Sequence, residues 1–373
     1  MKGSKQRVRA LLNGKRPDCI PLYELIRNDR VIEYFTGVWP TPENGEELVF
    51  RTFPLAVDAT RPAMKSPAVP PGVERKEILP DGRRRVIHRW TSWTEPIRYA
   101  SSEAYAQAKR TFLASASTDF TEENRAQIDA YLERYRTYCE RLGDDFFLFM
   151  GAPGVGLMGL YGEVGLDVFA LYLYDCPAVI SDLLEYNTIR AVQFVEHLPP
   201  DHGIEGVFVG DDVAFKTATM FSPAYFEQEY FDRFARVVAA YHAKGIKVNF
   251  HSDGNLNAIM DGLVAAGIDV LNPVEVAAGM DIADLHRRYP DLIFAGGIGV
   301  SQLLPLGTPQ QVADAVVRAI EDSEGQIMVG SSTRTSIRGA AGELSGPARY
   351  GAELSALRAI SYQRPLNFGS RQR

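Results

Sequence analysis

The stretch IKVNFHSDGNLNAIMDGLVAAGIDVLNPVE, residues 246–275, decides the fold. It opens with a short apolar segment, continues through a polar turn and a helical pattern, and closes in a second apolar segment. Two such segments joined by a helix form a βαβ unit, in which the strands are parallel. The same alternation recurs on both sides of this stretch, so we predict an α/β fold built on a parallel sheet.

Eight segments in all are predicted to be strands. They are CIPLYEL (19–25), PLAVDAT (54–60), FFLFMGAPG (146–154), GVFVGDD (206–212), KVNFHSD (247–253), IDVLNPVE (268–275), LIFAGGIG (292–299) and QIMVGSS (326–332). Eight strands close a (β/α)8 barrel, which we expect, with an open doubly wound sheet as the alternative. We expect one domain over residues 1–373, with an N-terminal helical extension and an insertion at about 61–145 that carries a β-hairpin at 82–99.

Composition argues against several classes of function. The net charge is −7 and basic residues are scattered, so nucleic acid is not an expected partner. No apolar run reaches eighteen residues, and the N-terminal one is too short for a signal peptide, so we expect no membrane span and a cytoplasmic location. Cys19, Cys139 and Cys176 are far apart and form no CxxC pair, which argues against a disulfide framework or a cysteine-rich zinc site.

The residues at the carboxyl ends of the strands are the candidate functional residues, because parallel α/β barrels carry their chemistry there. They are Glu24, Asp58, Asp211, Asp212, His251, Asp253, Glu275, Ser331 and Ser332. Alternation along 246–252 predicts that Lys247, Asn249 and His251 point into the barrel. A histidine beside two or three carboxylates could hold Zn²⁺ with an open position, or carry out acid–base chemistry without a metal.

Each of these residues also has a structural interpretation. His251 could simply hydrogen-bond a neighbour, Asp253 could stabilise the turn SDGN (252–255), and Glu275 could be an exposed cap. Only one of Asp211 and Asp212 is expected to face the mouth of the barrel, because successive residues of a strand point to opposite sides. No HExxH or other compact metal motif is present, so both the metal-bound and the metal-free interpretations stay open.

Several motifs together resemble the uroporphyrinogen decarboxylase superfamily. They are RVRALLNGKRPDCIPL (7–22), GDDVAFKTATMFSP (210–223), the run from FHSDGN to RRYPD (250–291), FAGGIG (294–299) and LPLGTPQQV (304–312). The resemblance extends from about residue 4 to about residue 322. It implies a (β/α)8 barrel and two kinds of activity, decarboxylation of a tetrapyrrole and cobalamin-linked methyl transfer.

Two departures from the family's motifs separate these activities. The decarboxylase has an arginine-rich first strand, whereas LYELIRNDRVIEYF (22–35) keeps only Arg27 and Arg30, in loose register. The thiol-directed methyltransferases have His-x-Cys-Gly where this chain has His251-Ser252-Asp253-Gly254, and Ser331-Ser332 stand near their later cysteine. The resemblance therefore implies methyl transfer from a small, possibly aromatic, methyl ether or amine to a corrinoid, rather than to a thiol.

In that interpretation the chain is the methyltransferase component of a corrinoid-dependent demethylase. The resemblance implies Zn²⁺ held by His251, Glu275 and Asp212, with Asp253 as a fourth ligand or as support, while Tyr23 and Glu24 orient the substrate. Substrate contacts are expected from Arg27, Trp90, Trp93, Lys216 and Asn249. The chain has no DxHxxG segment for ligating cobalt, so the corrinoid would arrive on a partner protein. Homodimerisation is common in the family.

The alternative is a decarboxylase or related lyase for a small carboxylic acid. Asp212 would then stabilise positive charge or deliver a proton, and His251 would bind or protonate the product carbanion. Cations that could bind the carboxylate are Arg27, Arg30, Lys216 and Arg334. A third interpretation is a non-enzymatic barrel that binds a corrinoid or another ligand; the absence of a DxHxxG segment argues against the corrinoid-binding form.

Overall fold

The structure is a computed structural model and describes residues 3–62, 64–299 and 303–332. Arg334, one of the predicted carboxylate-binding cations, lies outside the described residues. The described chain has a mixed α/β fold in which strands and helices alternate and two of the three sheets are parallel. The predicted fold class, α/β with a parallel sheet, is therefore confirmed.

The strands are short and are numbered in chain order. They are β1 Ala59–Thr60, β2 Arg75–Ile78, β3 Arg84–Ile87, β4 Ser92–Thr94, β5 Phe147–Leu148, β6 Met150–Gly151, β7 Gly206–Gly210, β8 Lys247–His251, β9 Val270–Val274, β10 Ile293–Ile298 and β11 Ile327–Ser331. Helices connect most of them. They are α1 Ser4–Leu12, α2 Asp29–Thr36, α3 Gly45–Ala56, α4 Ser102–Ser115, α5 Glu122–Leu142, α6 Leu157–Val164, α7 Leu166–Asp175, α8 Pro177–Glu196, α9 Pro223–Glu229, α10 Phe231–Ala243, α11 Met260–Ala265, α12 Ile282–Arg288, α13 Leu303–Leu306 and α14 Pro309–Asp322, with 3-10 turns at Asn257–Ile259 and Val276–Ala278.

The parallel strands form two hydrogen-bonded sheets. The larger has the order β11-β10-β9-β8-β7-β6, and the smaller pairs β1 with β5. Leu22 forms an isolated parallel bridge to Val329 of β11, and Tyr23 forms one to Ala59 of β1. The predicted first strand, 19–25, is thus represented by these two bridges, which link the two sheets.

Side chains of the parallel strands divide between two buried clusters. The cluster on one face contains Tyr23, Ala59, Phe147, Phe149, Phe208, Val270, Ile293, Ala295 and Met328, with Val8, Leu11 and Leu12 of α1. Val248 and Phe250 of β8 belong to the other cluster, where the Phe250 ring packs 5.2 Å from that of Phe234 on α10. Burying such a large apolar side chain stabilises the fold by about 1.5–3 kcal/mol. β8 therefore turns its apolar residues toward the helices, as its alternation predicts.

The second predicted strand, PLAVDAT (54–60), is mostly wrong. Pro54 and Ala56 lie in the last turn of α3, and only Ala59 and Thr60 form a strand. Asp58 consequently precedes the strand instead of ending it. Its carboxylate accepts the backbone N–H of Leu22 at 2.9 Å and lies 3.5 Å from Arg7 Nη1, which gives it a structural role. The apolar residues at 54–56 belong to the last turn of α3, although the sequence suggested that they begin a strand.

The predicted hairpin is present and has a third strand. β3 pairs antiparallel with β4, and β2 pairs with the other edge of β3. Trp90 lies in the connection between β3 and β4, and its indole N–H donates to Asp29 Oδ1 at 3.0 Å. Arg89 Nε donates to the other carboxylate oxygen of Asp29 at 2.6 Å. The hairpin is thereby attached to the start of α2.

Two helices begin as their sequences predict. Ser222 caps α9 by accepting the N–H of Tyr225, and Thr308 forms a capping box with Gln311 at the start of α14. The helical stretch from Pro223 to Ala243 is divided at Tyr230 into α9 and α10. Among the described residues, no single helix has the length and apolar character to cross a membrane; α6 and α7 pass that test only together, across a bend of 108°.

Gly330 allows the closest backbone approach between β11 and the segment of Leu22 and Tyr23. A Cβ atom at this position would overlap the carbonyl oxygen of Tyr23, which is backbone and cannot swing away. We expect Gly330→Ala to lower the free energy of unfolding by roughly 1–3 kcal/mol, the usual cost of overpacking. Urea denaturation followed by circular dichroism measures this change.

Gly162→Ala is the matched control for that substitution. Gly162 lies inside α6, and a Cβ atom there would meet nothing within 4 Å. Alanine is the better helix former by about 1 kcal/mol, so this variant should be at least as stable as the parent chain. Equal stability of the two variants would contradict the close approach at Gly330.

Candidate active site

The carboxyl ends of three neighbouring strands, β7, β8 and β9, are aligned along the sheet. In the parallel register, Gly210 of β7 pairs with His251 of β8, and His251 pairs with Asn272 of β9. The backbone continues this pairing beyond the strands, since Asp211 N–H donates to the His251 carbonyl at 2.9 Å. Residues that follow β7 and β8 therefore meet at the carboxyl edge of the sheet, as expected for a parallel α/β protein.

Asp212, His251 and Asp253 form a cluster at this edge. One ligand-type atom from each lies within 4.8 Å of the other two. His251 Nε2 is 3.7 Å from Asp212 Oδ1 and 4.0 Å from Asp253 Oδ1. All three side chains are half-buried, so the cluster is accessible and yet partly shielded from water. The structure thus brings together three of the four residues that the sequence proposed as metal ligands.

Asn272 orients the imidazole of His251. The distance from His251 Nδ1 to Asn272 Oδ1 is 2.8 Å, and because an amide oxygen only accepts, the proton is assigned to Nδ1. Neutral His251 then presents its lone pair at Nε2, on the side of the two carboxylates. The ring also packs at 4.9 Å from the ring of Phe208. An outer hydrogen bond of this kind typically fixes a metal-binding or proton-transferring histidine.

The turn after β8 depends on Gly254. Its φ of +97° favours glycine, and a Cβ atom there would lie 2.6 Å from the carbonyl oxygen of Phe215. Gly254 N–H donates to Glu275 Oε2 at 2.9 Å, and Asp253 N–H donates to Asp212 Oδ1 at 3.2 Å. Glu275 therefore fixes the turn and lies outside the cluster, unlike the ligand position expected from the sequence.

Asp211 turns away from the cluster and joins β7 to α6. Its buried carboxylate accepts the N–H groups of Leu157 and Met158, at the start of α6, and the hydroxyl of Tyr230 at 3.0 Å. Burial raises the pKa of Asp211 to about 6, although these hydrogen bonds favour the charged form. Tyr161 of α6 donates to the Asp212 carbonyl at 2.7 Å, so α6 holds the backbone on which Asp212 stands.

Tyr23 and Asn249 place unsatisfied polar atoms in the buried interior. Asn249 precedes His251 by two residues on β8, and Tyr23 packs edge-on against Phe149. Within the described chain, the Tyr23 hydroxyl and the Asn249 amide are buried and face each other, but none of their polar atoms has a partner at full hydrogen-bonding geometry. Burial raises the pKa of Tyr23, so its hydroxyl stays neutral. Buried polar groups of this kind usually bind water or a ligand.

Glu24 and Arg61 add charged groups beside these residues. Glu24 accepts the N–H of Ser331 at 2.9 Å and its hydroxyl at 2.8 Å, and burial raises the pKa of Glu24 to about 7. The guanidinium of Arg61 lies 4.1 Å from the ring centre of Phe208. Its positive charge offsets part of the rise that burial causes in the pKa values of Glu24 and Tyr23. Arg61 was missed from the sequence, although it directly follows a predicted strand.

The other predicted substrate contacts differ in exposure and in their partners. Trp90 is bonded to Asp29, Trp93 is 49% exposed on β4, and Lys216 is exposed in the loop after β7. Arg30 pairs with Glu33 at 3.0 Å on the surface of α2, as an ordinary surface cation would. Arg27 is half-buried three residues beyond Glu24. The assignment of Arg27, Trp90, Trp93 and Lys216 as substrate contacts stays a prediction.

Residues 116–331 match the family model described as Uroporphyrinogen decarboxylase (URO-D). The chain therefore belongs to the uroporphyrinogen decarboxylase family. Among solved structures, it is similar to a methyltransferase from Methanosarcina mazei with a TM-score of 0.63 and 16% sequence identity, over 96% of this chain and 98% of that one. The likeness to that structure is one of fold. No curated protein matches the chain significantly.

The raised pKa of Glu24 makes stability depend on pH. The folded chain holds the Glu24 proton up to about pH 7, whereas an unfolded chain releases it near pH 4.3. This contribution to stability is full below the unfolded pKa and is lost as pH rises through the folded one. We expect the free energy of unfolding to fall between about pH 5 and pH 8, and to fall less in Glu24→Gln.

Urea denaturation at several pH values tests the Glu24 prediction. Glu33→Gln is the control, because Glu33 is on the surface of α2, paired with Arg30. It should keep the pH dependence of the parent chain. Parallel pH profiles for the parent chain and Glu24→Gln would show that Glu24 is ionised in the folded state throughout this range.

Proposed function

We propose that the protein is the methyltransferase component of a corrinoid-dependent demethylase. It would take a methyl group from a small, possibly aromatic, methyl ether or amine and transfer it to a corrinoid carried by a separate protein. The observation that carries this proposal is the cluster of Asp212, His251 and Asp253 at the carboxyl edge of the sheet. Family membership and the likeness in fold to a methyltransferase structure support it.

The same proposal includes a closed eight-stranded barrel around the site. Tyr23 N–H donates to the Val329 carbonyl at 3.0 Å, which joins the segment of Leu22 and Tyr23 to β11. Phe149 N–H donates to the Thr60 carbonyl at 2.9 Å, and Ala152 N–H donates to the Phe208 carbonyl at 3.0 Å. Residues 147–152 are therefore hydrogen-bonded to β1 on one side and to β7 on the other. These bonds support closure through residues 147–152 and the bridges of Leu22 and Tyr23.

The residues of the cluster fit a zinc ion. One imidazole nitrogen and two carboxylate oxygens are a hard donor set that suits Zn²⁺ with a fourth position open. Two half-buried carboxylates so close together also repel each other, and a bound cation would relieve that repulsion. Asn272 supplies the outer hydrogen bond that a ligating histidine usually makes. His251, Asp212 and Asp253 would hold the ion, and Glu275 would support the turn that carries Asp253.

The chain's own residues bind and orient the substrate. Zn²⁺ at the cluster would supply Lewis acidity toward the substrate's ether oxygen or amine nitrogen, which weakens its bond to the methyl group. The unsatisfied atoms of Tyr23 and Asn249 would hydrogen-bond polar groups of the substrate. Phe208, whose ring contacts both His251 and the guanidinium of Arg61, gives the site an apolar wall beside the cluster.

Removal of His251 tests the metal site. We expect near-stoichiometric zinc in the purified protein by elemental analysis, and loss of both zinc and methyl transfer in His251→Ala. His242→Ala is the matched control, because His242 lies on α10 and pairs with Asp269, and it should keep its zinc. Glu275→Gln should also keep zinc, since the Glu275 carboxylate lies outside the cluster. A metal-free protein that transfers methyl groups would contradict the zinc proposal.

Asn272→Ala gives a graded version of this test. The variant keeps every proposed ligand and removes only the bond that orients His251. Loss of an outer hydrogen bond to a ligating histidine usually weakens metal affinity about 10- to 100-fold. Zinc titration against a chromophoric chelator measures the change. Unchanged affinity would mean that Asn272 does not orient a zinc ligand.

The second candidate is decarboxylation of a small carboxylic acid without a metal. It is favoured by the 3.7 Å separation of His251 and Asp212, which suits an acid–base pair, and by the cation of Arg61 beside Phe208. Release of carbon dioxide by zinc-free protein from a panel of small acids would support it. In that case His251→Ala should lose activity although no metal is involved.

A further inference from the structure

A cleft that shares no described lining residue with the cluster of Asp212, His251 and Asp253 lies between α5, α8 and the start of α6. It has a volume of about 600 Å³, which is in the range of small-molecule sites. Its walls are the first half of α5, the last half of α8, and the loop at 153–156 that leads into α6. Its described lining includes none of the residues assigned to the candidate active site.

The cleft carries one positive charge and no negative one. Arg190 of α8 lines it, and none of the lining residues in the described chain is acidic, although the whole chain has a net charge of −7. Glu185, the acidic residue nearest to Arg190 in sequence, pairs with Arg233 and Arg236 instead. A half-buried arginine without an acidic partner is complementary to an anion.

The orientation of Arg190 leaves one edge of its guanidinium for a ligand. Nη1 donates to Asn124 Oδ1 at 3.1 Å and to Gln193 Oε1 at 3.0 Å, which fixes the side chain between α5 and α8. Within the described residues, Nε and Nη2 donate to no protein atom. Two parallel N–H groups on one edge match the two oxygens of a carboxylate.

The charge of the cleft suits a monoanion. Gly156 and Gly159 line it near the start of α6, but the N–H groups of Leu157 and Met158 already donate to Asp211. That helix N-terminus therefore adds no donor for a second negative charge, such as that of a phosphate ester. A carboxylate balances the single arginine.

Aromatic side chains form the apolar part of the cleft. Phe120, Tyr186 and Phe194 line it, and each is held by another ring: His197 stacks on Phe120, Phe112 meets Tyr186 edge-on, and Tyr131 meets Phe194 edge-on. Rings fixed in this way offer preformed faces and edges to a planar ligand. The side-chain amides of Gln127 and Asn187 add hydrogen-bonding groups.

We propose that this cleft binds a small aromatic carboxylate through Arg190. The carboxylate pairs with Nε and Nη2, and its ring packs among Phe120, Tyr186 and Phe194. This site is separate from the proposed methyltransferase site and goes beyond that function. It requires neither zinc nor a corrinoid.

Isothermal titration of the full chain with benzoate tests the proposal. We expect saturable binding of one benzoate per chain, and weaker binding of the neutral isostere benzamide, of phenyl phosphate and of cyclohexanecarboxylate. Arg190→Gln should weaken benzoate binding about 10- to 100-fold, as loss of hydrogen bonds to a charged group does. Arg236→Gln, a surface arginine paired with Glu185, should bind benzoate like the parent chain.

A cavity-filling variant covers the possibility that Arg190→Gln disturbs the contact between α5 and α8. Gly159 lines the cleft inside α6, and a Cβ atom there meets nothing within 4 Å, so Gly159→Phe should fold and occupy the space. Its benzoate binding should be lost while its melting temperature is kept. His251→Ala should bind benzoate normally, which separates this site from the failure or success of the zinc proposal.

Three results would overturn the proposal. The first is absence of saturable benzoate binding at millimolar concentrations. The second is equal affinity for benzoate and benzamide. The third is binding that survives in Arg190→Gln and Gly159→Phe but is lost in His251→Ala, which would place the carboxylate at the cluster of Asp212, His251 and Asp253.

Discussion

The candidate site depends on the parallel register of β8 with β7 and β9. Because Gly210, His251 and Asn272 are paired across the sheet, the residues after each strand emerge at the same height. Alternation along β8 places Asn249 and His251 on one face of the strand. A slip of one residue would exchange this face with that of Val248 and Phe250 and would leave polar groups among the helices. Packing of Val248 and Phe250 against the helices thus fixes the position of Asn249 and His251 on the opposite face of β8.

Burial divides the carboxylates around the site into two kinds. Glu24 and Asp211 are buried, accept several hydrogen bonds each, and have raised pKa values. Their hydrogen bonds connect secondary-structure elements. Glu24 bonds to Ser331 of β11, and Asp211 bonds the end of β7 to the start of α6. Asp212 and Asp253 are half-buried and approach His251. Asp211 and Asp212 are adjacent in sequence, and burial distinguishes the carboxylate that bonds to α6 from the one that approaches His251.

Local pattern predicted the parts of the site that depend on a single strand. The alternation in KVNFHSD was sufficient to direct Asn249 and His251 away from the helices. It was insufficient for Glu275, whose bond to Gly254 depends on a turn with positive φ in another segment. It also failed at 54–60, because apolar residues at the end of an amphipathic helix resemble a strand. Asn272 contacts His251 across two strands and Arg190 contacts Asn124 across two helices, and no spacing in the chain reveals those contacts.

The three-stranded sheet of β2, β3 and β4 is attached independently of the strand register around the site. The hairpin pairs with none of the parallel strands in the described chain and is held largely through Arg89 and Trp90, which occupy both oxygens of Asp29. Arg89 also donates to the carbonyls of Val69 and Pro40. Because β2, β3 and β4 pair with none of the parallel strands that the structure describes, their loops can change in length without shifting the strand register around His251.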